Sequence, residues 1–321
     1  MKSQIVVITG ANSGIGKAAA FQFAREGNTV IMACRDIPKS QPVKDEIIRR
    51  TGNSRVELME LNVSSFGSIR SFCSAFTARY PHLDILINNA GYFNHGAPYT
   101  LSEDQLEITF ATNVFGPFLL TQLLRDHLNK SEDPVILNAG SNIIKHFFDP
   151  SLKINFDILQ GNHPEPENYK VYHSYRDSKM ALLMLTFKMA DEFRKDGIRV
   201  NSLQINGATM SKETLNKLTP GYRLIARIQN LFFRSPAYTA NLYYQICTSE
   251  SFKHLTGKQF NHKPEVMQPS VEGAGLMESW KQVAGASKYP VYADHKETQE
   301  QLWQLCRDLT QHFFQSAEPA E

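Results

Sequence analysis

Residues 4–17 read Gln4-Ile-Val-Val-Ile-Thr-Gly-Ala-Asn-Ser-Gly-Ile-Gly-Lys17, and the prediction of the fold starts from them. The run from Ile5 to Ile8 is short, apolar and β-branched, which is typical of a strand buried on both faces. Gly10, Gly14 and Gly16 follow, and then a helix-forming segment. This order places a helix N-terminus beside the strand's carboxyl end, where backbone N–H groups and the helix dipole favour a pyrophosphate. The spacing is G-x-x-x-G-x-G rather than G-x-G-x-x-G, but it still follows the strand and opens the helix. The alternative is that the glycine turn is only a tight connection.

The overall composition is that of an ordinary soluble globular protein. Of the 321 residues, 42% are hydrophobic and 21% are charged, and the formal net charge is +2. So small a charge gives no reason to expect a nucleic acid or an acidic membrane surface as partner. The four cysteines, Cys34, Cys73, Cys247 and Cys306, are scattered without a C-x-x-C pair. We therefore expect a reducing compartment, without a disulfide framework and without a metal site.

Two features of the sequence bear on location. The longest apolar run, residues 180–190, is too short to span a membrane and contains Lys188. The N-terminal apolar stretch is also short and is already assigned to a strand, so we expect no secretory signal. The predicted location is the cytoplasm, with no membrane span.

Strand-like and helix-like segments alternate over about the first 205 residues. Strands are predicted at about 5–8, 29–33, 55–59, 84–87, 134–138 and 198–204. Helices are predicted at about 15–26, 39–51, 65–79, 102–128 and 173–195. Such alternation predicts right-handed crossovers and an α/β fold, in which a doubly wound parallel sheet carries helices on both faces.

Three long segments interrupt this alternation, at residues 142–172, 207–235 and 262–294. Loops of this length in a compact domain are usually lids or binding loops, and the second carries Tyr222, Leu231, Phe232 and Phe233. We predict a substrate lid at about 207–235 and a C-terminal extension at about 262–321. The extension ends in an amphipathic helix at about 295–314, which we expect to pack on the domain. Because there is no internal repeat or linker, residues 1–321 are predicted to form a single domain.

The end of the second strand bears on the choice of cofactor. In dinucleotide-binding folds an acidic side chain here holds the adenosine ribose and disfavours a 2′-phosphate. The position aligns with Cys34, which is not acidic, and the guanidinium of Arg35 beside it can pair with a phosphate. We therefore predict NADP rather than NAD. In the alternative interpretation, Arg35 is a solvated surface residue and the Asp36 carboxylate binds the adenosine ribose.

The fourth strand ends in Asn88, Asn89, Ala90 and Gly91. The two asparagines can support the adjacent strand loops, and the two small residues allow the backbone to approach a ligand closely. Alone this sequence might be only a turn. At the carboxyl end of a buried strand beside the glycine turn, it favours a cofactor contact.

Two further sites carry polar groups that are suited to chemistry. Tyr175 and Lys179 begin a predicted helix four residues apart and so lie on one face of it. A phenol normally keeps its proton to a pH of about 10, but a neighbouring ammonium favours the phenolate and allows proton exchange near neutrality. Ser141 follows a predicted strand and can hydrogen-bond a substrate oxygen. Alone, these residues could be a surface pair and a cap; together with the strand-end motifs they converge on one crevice.

The set of motifs resembles that of the short-chain dehydrogenase/reductase family. Thr9-Gly10-x3-Gly14-x-Gly16, Asn88-Asn89-Ala90-Gly91, Asn113, Ser141 and Tyr175-x3-Lys179 occur in the family's order, and the match runs from about residue 4 to 260. Residues 33–36, 112–121, 156–161 and 302–309 are similar to the retinol-dehydrogenase-like branch. That branch also has a long insert between the serine and the tyrosine, as here, where 175 − 141 gives 34 positions.

The resemblance implies a Rossmann fold and a role for each motif residue. Tyr175 would be the general acid in reduction or the base in oxidation, Lys179 would lower the pKa of Tyr175 and hold the nicotinamide ribose, and Ser141 would polarise the carbonyl. Asn113 would anchor a helix kink and a water that relays protons through Lys179. The implied cofactor contacts are Gly10, Asn12, Ser13, Gly14, Ile15, Gly16, Arg35, Asn62, Val63, Asn89, Ala90, Gly91, Tyr175, Lys179 and Gly207. The branch tends to prefer NADP, which agrees with Arg35.

The sequence also departs from the family's pattern. Asn206-Gly207 stands where the family has Pro-Gly, with Ser211 in place of the following threonine, so we expect an altered loop near the nicotinamide. Asn62 replaces an aspartate often seen near adenine, and Ala139-Gly140 replaces the usual residues before the serine. None of these changes removes a reacting group. We see no membrane anchor of the kind many retinol dehydrogenases have, so we do not expect retinol itself as substrate.

These observations predict an NADP-dependent oxidoreductase that interconverts a carbonyl and an alcohol by hydride transfer, with Tyr175 as general acid or base. The aromatic residues of the lid and the long insert favour a fairly large, apolar small-molecule substrate. Reduction of a carbon–carbon double bond, and a dinucleotide-binding regulatory protein without turnover, remain as alternatives. Family habit implies a homodimer through the helices at 102–128 and 173–195, unless the terminal extension covers that surface.

Overall fold

The computed structural model of the chain describes residues 3–94, 96–163, 165–207, 209, 234–271, 282 and 285–314. Within them, seven strands form one sheet in the order β3-β2-β1-β4-β5-β6-β7. These strands are β1 (Ile5–Thr9), β2 (Thr29–Cys34), β3 (Val56–Glu60), β4 (Ile85–Asn88), β5 (Val135–Ser141), β6 (Arg199–Ile205) and β7 (Lys258–Phe260). Neighbouring strands are parallel throughout, which confirms the predicted sheet. The strand order reverses between β1 and β4, and this opens a crevice at their carboxyl ends.

Helices cover both faces of this sheet. One face carries α1 (Gly14–Arg25), α2 (Ile37–Thr51) and α8 (Pro236–Thr248). The other carries α3 (Phe66–Arg79), α5 (Gly116–Leu128), α7 (Val171–Glu192) and α9 (Lys296–Thr310). Successive strand residues contribute to opposite faces, so that Val7 joins one apolar cluster while Val6 and Ile8 join the other. This alternation explains why β1 is apolar from Ile5 to Ile8.

The helix predicted at 102–128 is shorter and less regular in the structure. The short helix α4 (Ile108–Phe110) begins only at Ile108, because the Glu107 carboxylate accepts the Phe110 N–H at 3.0 Å and caps it. Gln105 has φ +60°, which interrupts a helix at that point. A π-helical turn, Ala111–Phe115, then joins α4 to α5. The predicted start at residue 102 is therefore wrong, and the segment kinks before the long helix α5.

Helix α8 and strand β7 lie beyond residue 205 and were not predicted. Helix α8 begins after Ser235, whose side chain accepts the Tyr238 N–H at 3.3 Å, and Pro236 occupies its first position. Serine followed by proline is an ordinary helix start signal that the sequence does contain. Strand β7 has only three residues, and so short a strand carries little periodicity.

The predicted interruptions contain short ordered pieces. Residues 142–172 include a 3₁₀-helix at Asn142–Phe148, helix α6 (Phe156–Leu159) and a 3₁₀-turn at Pro166–Asn168. The extension includes a two-stranded sheet of β8 (Gln268–Pro269) and β9 (Lys288–Tyr289). Most of the predicted lid, with Ser211, Tyr222, Leu231, Phe232 and Phe233, lies outside the described residues.

The terminal helix α9 packs on α5 and α7. Leu302 and Cys306 are fully buried, and the Trp303 ring meets Phe118 of α5 edge-on with centroids 5.1 Å apart. Glu300 forms an ion pair with Lys188 of α7 at 2.7 Å. The extension therefore covers part of the α5 and α7 surface, as its apolar face leads one to expect.

Over the ranges that the structure describes, no helix combines the length and the apolar character needed to cross a membrane.

Candidate active site

The glycine turn joins β1 to α1 at the crevice. Gly10 has φ +65°, in the left-handed region that favours glycine. A Cβ atom on Gly16 would collide with the Gly10 carbonyl oxygen and the Asn89 side-chain amide, so α1 can approach the turn this closely only with glycine there. Ser13 precedes α1 but makes no capping hydrogen bond within the described part of the chain. The first N–H groups of α1 are therefore left for another acceptor, which suits an anionic ligand.

A cavity of about 600 Å³ extends from this turn across the ends of β1, β2 and β3. Eleven of the predicted cofactor residues line it: Gly10, Asn12, Ser13, Gly14, Ile15, Arg35, Asn62, Val63, Asn89, Ala90 and Gly91. Gly16 instead packs behind the turn. Because glycines and small residues form the floor, the cavity suits the adenosine and pyrophosphate part of a dinucleotide.

Cationic side chains lie at the β2 end of this cavity. Arg35, Asp36 and Lys39 are exposed and line it together. The Asp36 carboxylate accepts the Lys39 N–H at 2.9 Å and caps α2, and the Asp36 carbonyl oxygen accepts the Ser40 hydroxyl at 2.6 Å. Cys34 is buried below them. The acidic side chain at this point therefore already serves as a helix cap.

Hydrogen bonds fix the loop after β4 onto the glycine turn. Thr9 Oγ1 accepts the N–H groups of Asn89 at 3.0 Å and of Ala90 at 2.9 Å, and Asn89 Nδ2 donates to the Thr9 carbonyl oxygen at 2.9 Å. Tyr243 of α8 is fully buried and donates its hydroxyl to Asn89 Oδ1 at 3.4 Å. Asn88 points elsewhere and donates to Asn138 Oδ1 at 2.9 Å. Asn89 is thus the member of the pair that faces the cavity, while Asn88 ties β4 to β5.

A second cavity of about 660 Å³ continues from the first, and Ile15, Asn89 and Gly91 line both. The predicted residues Ser141, Tyr175, Lys179 and Gly207 lie here. They come from the end of β5, the first turns of α7 and the loop after β6. The structure therefore brings the predicted catalytic side chains together at the carboxyl ends of neighbouring strands.

The three reactive groups have distinct contacts. Ser141 is buried at the end of β5 and hydrogen-bonds Tyr175. Lys179 Nζ donates to the Ala139 carbonyl oxygen at 3.0 Å and lies 5.7 Å from the centre of the Tyr175 ring. Phe93 packs against the other side of this site, with its ring centroid 4.6 Å from that of Tyr175. A carbonyl oxygen placed between Ser141 and Tyr175 would meet two hydroxyl donors.

Burial decides the proton affinities of Tyr175 and Lys179. Burial raises the pKa of Tyr175 above that of a free phenol, and the hydrogen bond with Ser141 opposes this rise. Burial also lowers the pKa of Lys179 to about 8. The net shift of the Tyr175 pKa is therefore upward, opposite to the lowered value expected from Lys179, because desolvation of the phenolate is the largest contribution.

Asn113 lies in the π-helical turn and is fully buried. Its Oδ1 accepts the Tyr92 N–H at 2.7 Å, and its Nδ2 donates to the Tyr92 carbonyl oxygen at 3.1 Å and to Ser178 Oγ at 3.0 Å. A Cβ atom on Gly91 would lie 3.4 Å from Asn113 Oδ1 and 3.5 Å from Lys179 Nζ. Asn113 therefore lies at the predicted kink and holds the β4 loop against α7, close to Lys179.

Asn206, the residue that replaces the family's proline, belongs to a polar cluster. Its Oδ1 accepts from Gln204 Nε2 at 3.2 Å, and its Nδ2 lies 3.0 Å from His262 Nδ1. Gly207 follows with φ +108°, so glycine is required there. The altered loop thus exchanges proline for side-chain hydrogen bonds, while Gly207 still lines the second cavity.

Several residues of the two cavities were missed by the reasoning from sequence. Lys39 lies in the first cavity, Phe93, His146 and Tyr172 lie in the second, and Tyr243 supports Asn89 from behind. A signal existed for Tyr172, which precedes Tyr175 by three positions and so shares its helix face. His146 and Tyr243 gave no such signal, because only the folded chain brings them to the site.

Comparison with known proteins agrees with this geometry. The sequence model of the family described as short chain dehydrogenase matches residues 4–148. Retinol dehydrogenase 12 of Mus musculus is 36% identical over 258 residues, covering 80% of this chain and 77% of the relative. Retinol dehydrogenase 11 of Homo sapiens is 33% identical, covering 81% of this chain and 78% of the relative. Among solved structures, a short chain dehydrogenase of Shigella flexneri 2a complexed with NADP is 24% identical with a TM-score of 0.62, covering 81% of this chain and 97% of that one.

The solved structure shares the fold, but its 24% identity is too low to show more than the fold. The alignments with the two retinol dehydrogenases, in contrast, cover most of this chain and most of each relative. Together with the parallel sheet and the motif order, they show that this chain is an NAD(P)-dependent oxidoreductase of the short-chain dehydrogenase/reductase family, in its retinol-dehydrogenase-like branch.

Proposed function

We propose that the protein is an NADP-dependent enzyme that interconverts a carbonyl and an alcohol, with Tyr175 as the general acid or base. One observation carries this proposal: Ser141, Tyr175 and Lys179 line one cavity, and this cavity adjoins the cavity at the glycine turn, with Ile15, Asn89 and Gly91 lining both. A substrate carbon between them can therefore lie beside the nicotinamide end of a cofactor held on the glycine turn.

The side chains divide the work of proton transfer and charge stabilisation. A bound nicotinamide supplies or accepts the hydride. Ser141 donates a hydrogen bond to the substrate oxygen and orients it, and Tyr175 transfers its proton to that oxygen in reduction. The raised pKa of Tyr175 keeps the phenol protonated at neutral pH, which suits the acid role. Lys179 is charged below a pH of about 8 and stabilises the negative charge left on the Tyr175 oxygen.

The β2 end of the first cavity supports NADP over NAD. The Asp36 carboxylate, which the alternative prediction assigned to the ribose, caps α2 instead. The charged heads of Arg35 and Lys39 are exposed beside it and can pair with a 2′-phosphate. The relative complexed with NADP agrees in fold.

The second cavity supports a substrate of some size with an apolar body. Phe93 is 45% exposed at its edge, and Ile143 and Ile205 line it as well. The lid aromatics on which the sequence prediction rested lie outside the described residues, so this proposal rests on the cavity alone.

We also propose that the protein is a monomer, in place of the homodimer that family habit implies. Helix α9 buries Trp303 against Phe118 and pairs Glu300 with Lys188, on the same helices that would form the dimer. Sedimentation at micromolar concentration should give the mass of one chain, and a dimer would contradict this.

The experiment follows NADPH consumption by the purified protein with a panel of aldehydes and ketones. Tyr175→Phe should keep NADPH binding and lose about 10²-fold or more in kcat, as is typical for loss of a general acid. Tyr80→Phe is the matched control, because Tyr80 ends α3 and lines neither cavity. Turnover that survives in Tyr175→Phe at the wild-type rate would refute the assignment.

Cofactor preference is measured by fluorescence titration of NADPH and NADH. Arg35→Ala and Lys39→Ala should each weaken NADPH binding about tenfold and leave NADH binding nearly unchanged. Arg49→Ala is the control, an exposed arginine in the last turn of α2 that does not line the cavity. Equal affinity of the wild-type protein for both cofactors would refute the preference.

A further inference from the structure

We propose that His146 and Tyr172 form a recognition pair that binds a second oxygen atom of the substrate, remote from the carbonyl that reacts. This inference rests on the proposed carbonyl and alcohol chemistry and narrows its substrate class. The substrate is a ketone or aldehyde with an apolar body that carries a further hydroxyl, carbonyl or carboxylate oxygen.

The pair is defined by one close contact between two elements. His146 Nε2 lies 2.7 Å from the Tyr172 hydroxyl, and the two rings meet edge-on with centroids 5.7 Å apart. His146 belongs to the 3₁₀-helix that begins directly after Ser141, and Tyr172 belongs to the first turn of α7 before Tyr175. The pair therefore connects the two segments that carry the reacting hydroxyls.

Both members face the catalytic cavity. Tyr172 and Tyr175 are three residues apart on α7 and so lie on one face of the helix. His146 and Tyr172 line the second cavity together with Ser141 and Tyr175. Tyr172 is 40% exposed, so its ring is open to a ligand in the cavity.

The pair keeps hydrogen-bonding capacity after its internal bond is made. If the Tyr172 hydroxyl donates to Nε2, the imidazole carries its proton on Nδ1 and the phenol oxygen still accepts. If Nε2 donates, the Tyr172 hydroxyl proton is free for another acceptor. In either arrangement the pair can bind an oxygen that donates or accepts, so a substrate lacking such an oxygen would lose a hydrogen bond here.

The charged groups near the pair favour a substrate that carries a further oxygen over a substrate that carries a cation. Among the described residues that line this cavity there is no carboxylate, and Lys179 is the cationic group. The nearby Asp177 is already held by Arg176 at 2.6 Å. An ammonium substrate would find no partner among these residues, whereas a hydroxyl, a carbonyl or a carboxylate would.

The test uses ketones of matched size in the NADPH assay: 4-ethylacetophenone, 4-(hydroxymethyl)acetophenone and 4-acetylbenzoate. The wild-type protein should prefer the two oxygen-bearing ketones in kcat/KM, chiefly through KM. Tyr172→Phe keeps the ring and should reduce this preference about five- to tenfold, as loss of one hydrogen bond predicts. His146→Leu should reduce it similarly, and Tyr80→Phe should leave it intact.

Three outcomes would overturn the inference. The first is that Tyr172→Phe and His146→Leu lower Tm but leave the preference for the oxygen-bearing ketones unchanged, which would mean that the pair only joins two segments. Another is equal kcat/KM for all three ketones in the wild-type protein. If none of the ketones is turned over, they are titrated into the enzyme–NADPH complex instead. The third outcome is that no ketone binds there, or that ketones with and without the second oxygen bind equally well. Failure of NADPH itself to bind would instead refute the proposed function.

Discussion

Replacing Lys179 by methionine should raise the stability of the protein while removing its activity. Lys179 is nearly fully buried on α7, and burial lowers its pKa from 10.5 to about 8. The folded state therefore disfavours the ammonium relative to the unfolded chain. Methionine has nearly the same length without the charge, so Lys179→Met removes this penalty.

The expected change in the free energy of unfolding follows from the lowered pKa of Lys179 and from the loss of one hydrogen bond. At pH 7, a pKa lowered from 10.5 to about 8 corresponds to about 3 kcal/mol of lost stability. Removing the 3.0 Å bond from Nζ to the Ala139 carbonyl oxygen costs about 1–2 kcal/mol in return. The net gain of about 1–2 kcal/mol should raise Tm by about 1.5–3 °C in a chain of this size.

The dependence on pH has a definite sign. Because the pKa is lower in the folded state, the unfolded chain binds more protons between pH 8 and 10.5, and the wild-type protein regains stability as the pH rises through that range. The Tm advantage of Lys179→Met should therefore be greatest below pH 8 and shrink towards pH 10.5.

Thermal scans of both proteins from pH 6.5 to 10 measure this difference, alongside turnover with NADPH. Lys188→Met is the control on the same helix, because hydrogen bonds with Glu192 and Glu300 outweigh burial and raise the pKa of Lys188. That variant should show no gain in Tm. A Lys179→Met protein that is less stable than wild type by the same amount at every pH would refute the reasoning.

Three further substitutions test other parts of the structure. Gly16→Ala places a Cβ against the Gly10 carbonyl oxygen, so NADPH affinity measured by titration should fall at least tenfold, and unchanged affinity would contradict the close packing of the turn. Ser141→Ala should lower kcat about 10²-fold with NADPH binding retained, because it removes one donor to the substrate oxygen, and an unaltered kcat would count against that role. Trp303→Ala should lower stability by about 3–5 kcal/mol in denaturant titration, since the ring is buried against Phe118, and a loss below about 1 kcal/mol would show that α9 packs weakly.

The first six strands could be predicted from sequence chiefly because strands such as β1, β2 and β4 are short apolar runs that the parallel sheet buries on both faces. Strands β3 and β6 carry polar residues as well and were indicated by their place in the alternation of strands and helices. The end of the chain was harder to predict. Strand β7 has three residues, and its pairing with β6 is set by tertiary contacts. The start of the helix predicted at residue 102 was wrong because a single side chain, Glu107, caps a later turn. Local propensity does not contain that information.

The site residues likewise divide into those that a local sequence pattern identifies and those that only the folded chain brings to the site. Gly10, Asn89, Ser141 and Tyr175 could be found from sequence, because each stands at a strand end or on one helix face. His146 reaches the site only through the path of the 3₁₀-helix after β5. The direction of the Tyr175 pKa was predicted wrongly, because it depends on the degree of burial, which the spacing to Lys179 does not reveal.

The central claim is that Tyr175 and its neighbours support hydride transfer between a nicotinamide and a carbonyl carbon. The most direct measurement supplies NADPH carrying two deuterons at C4 and locates deuterium in the product by mass spectrometry. We predict one deuterium atom on the new carbinol carbon with the wild-type protein, and about 10²-fold slower formation of this labelled product with Tyr175→Phe. Deuterium on a carbon of a former carbon–carbon double bond, or label transfer by Tyr175→Phe at the wild-type rate, would contradict the claim.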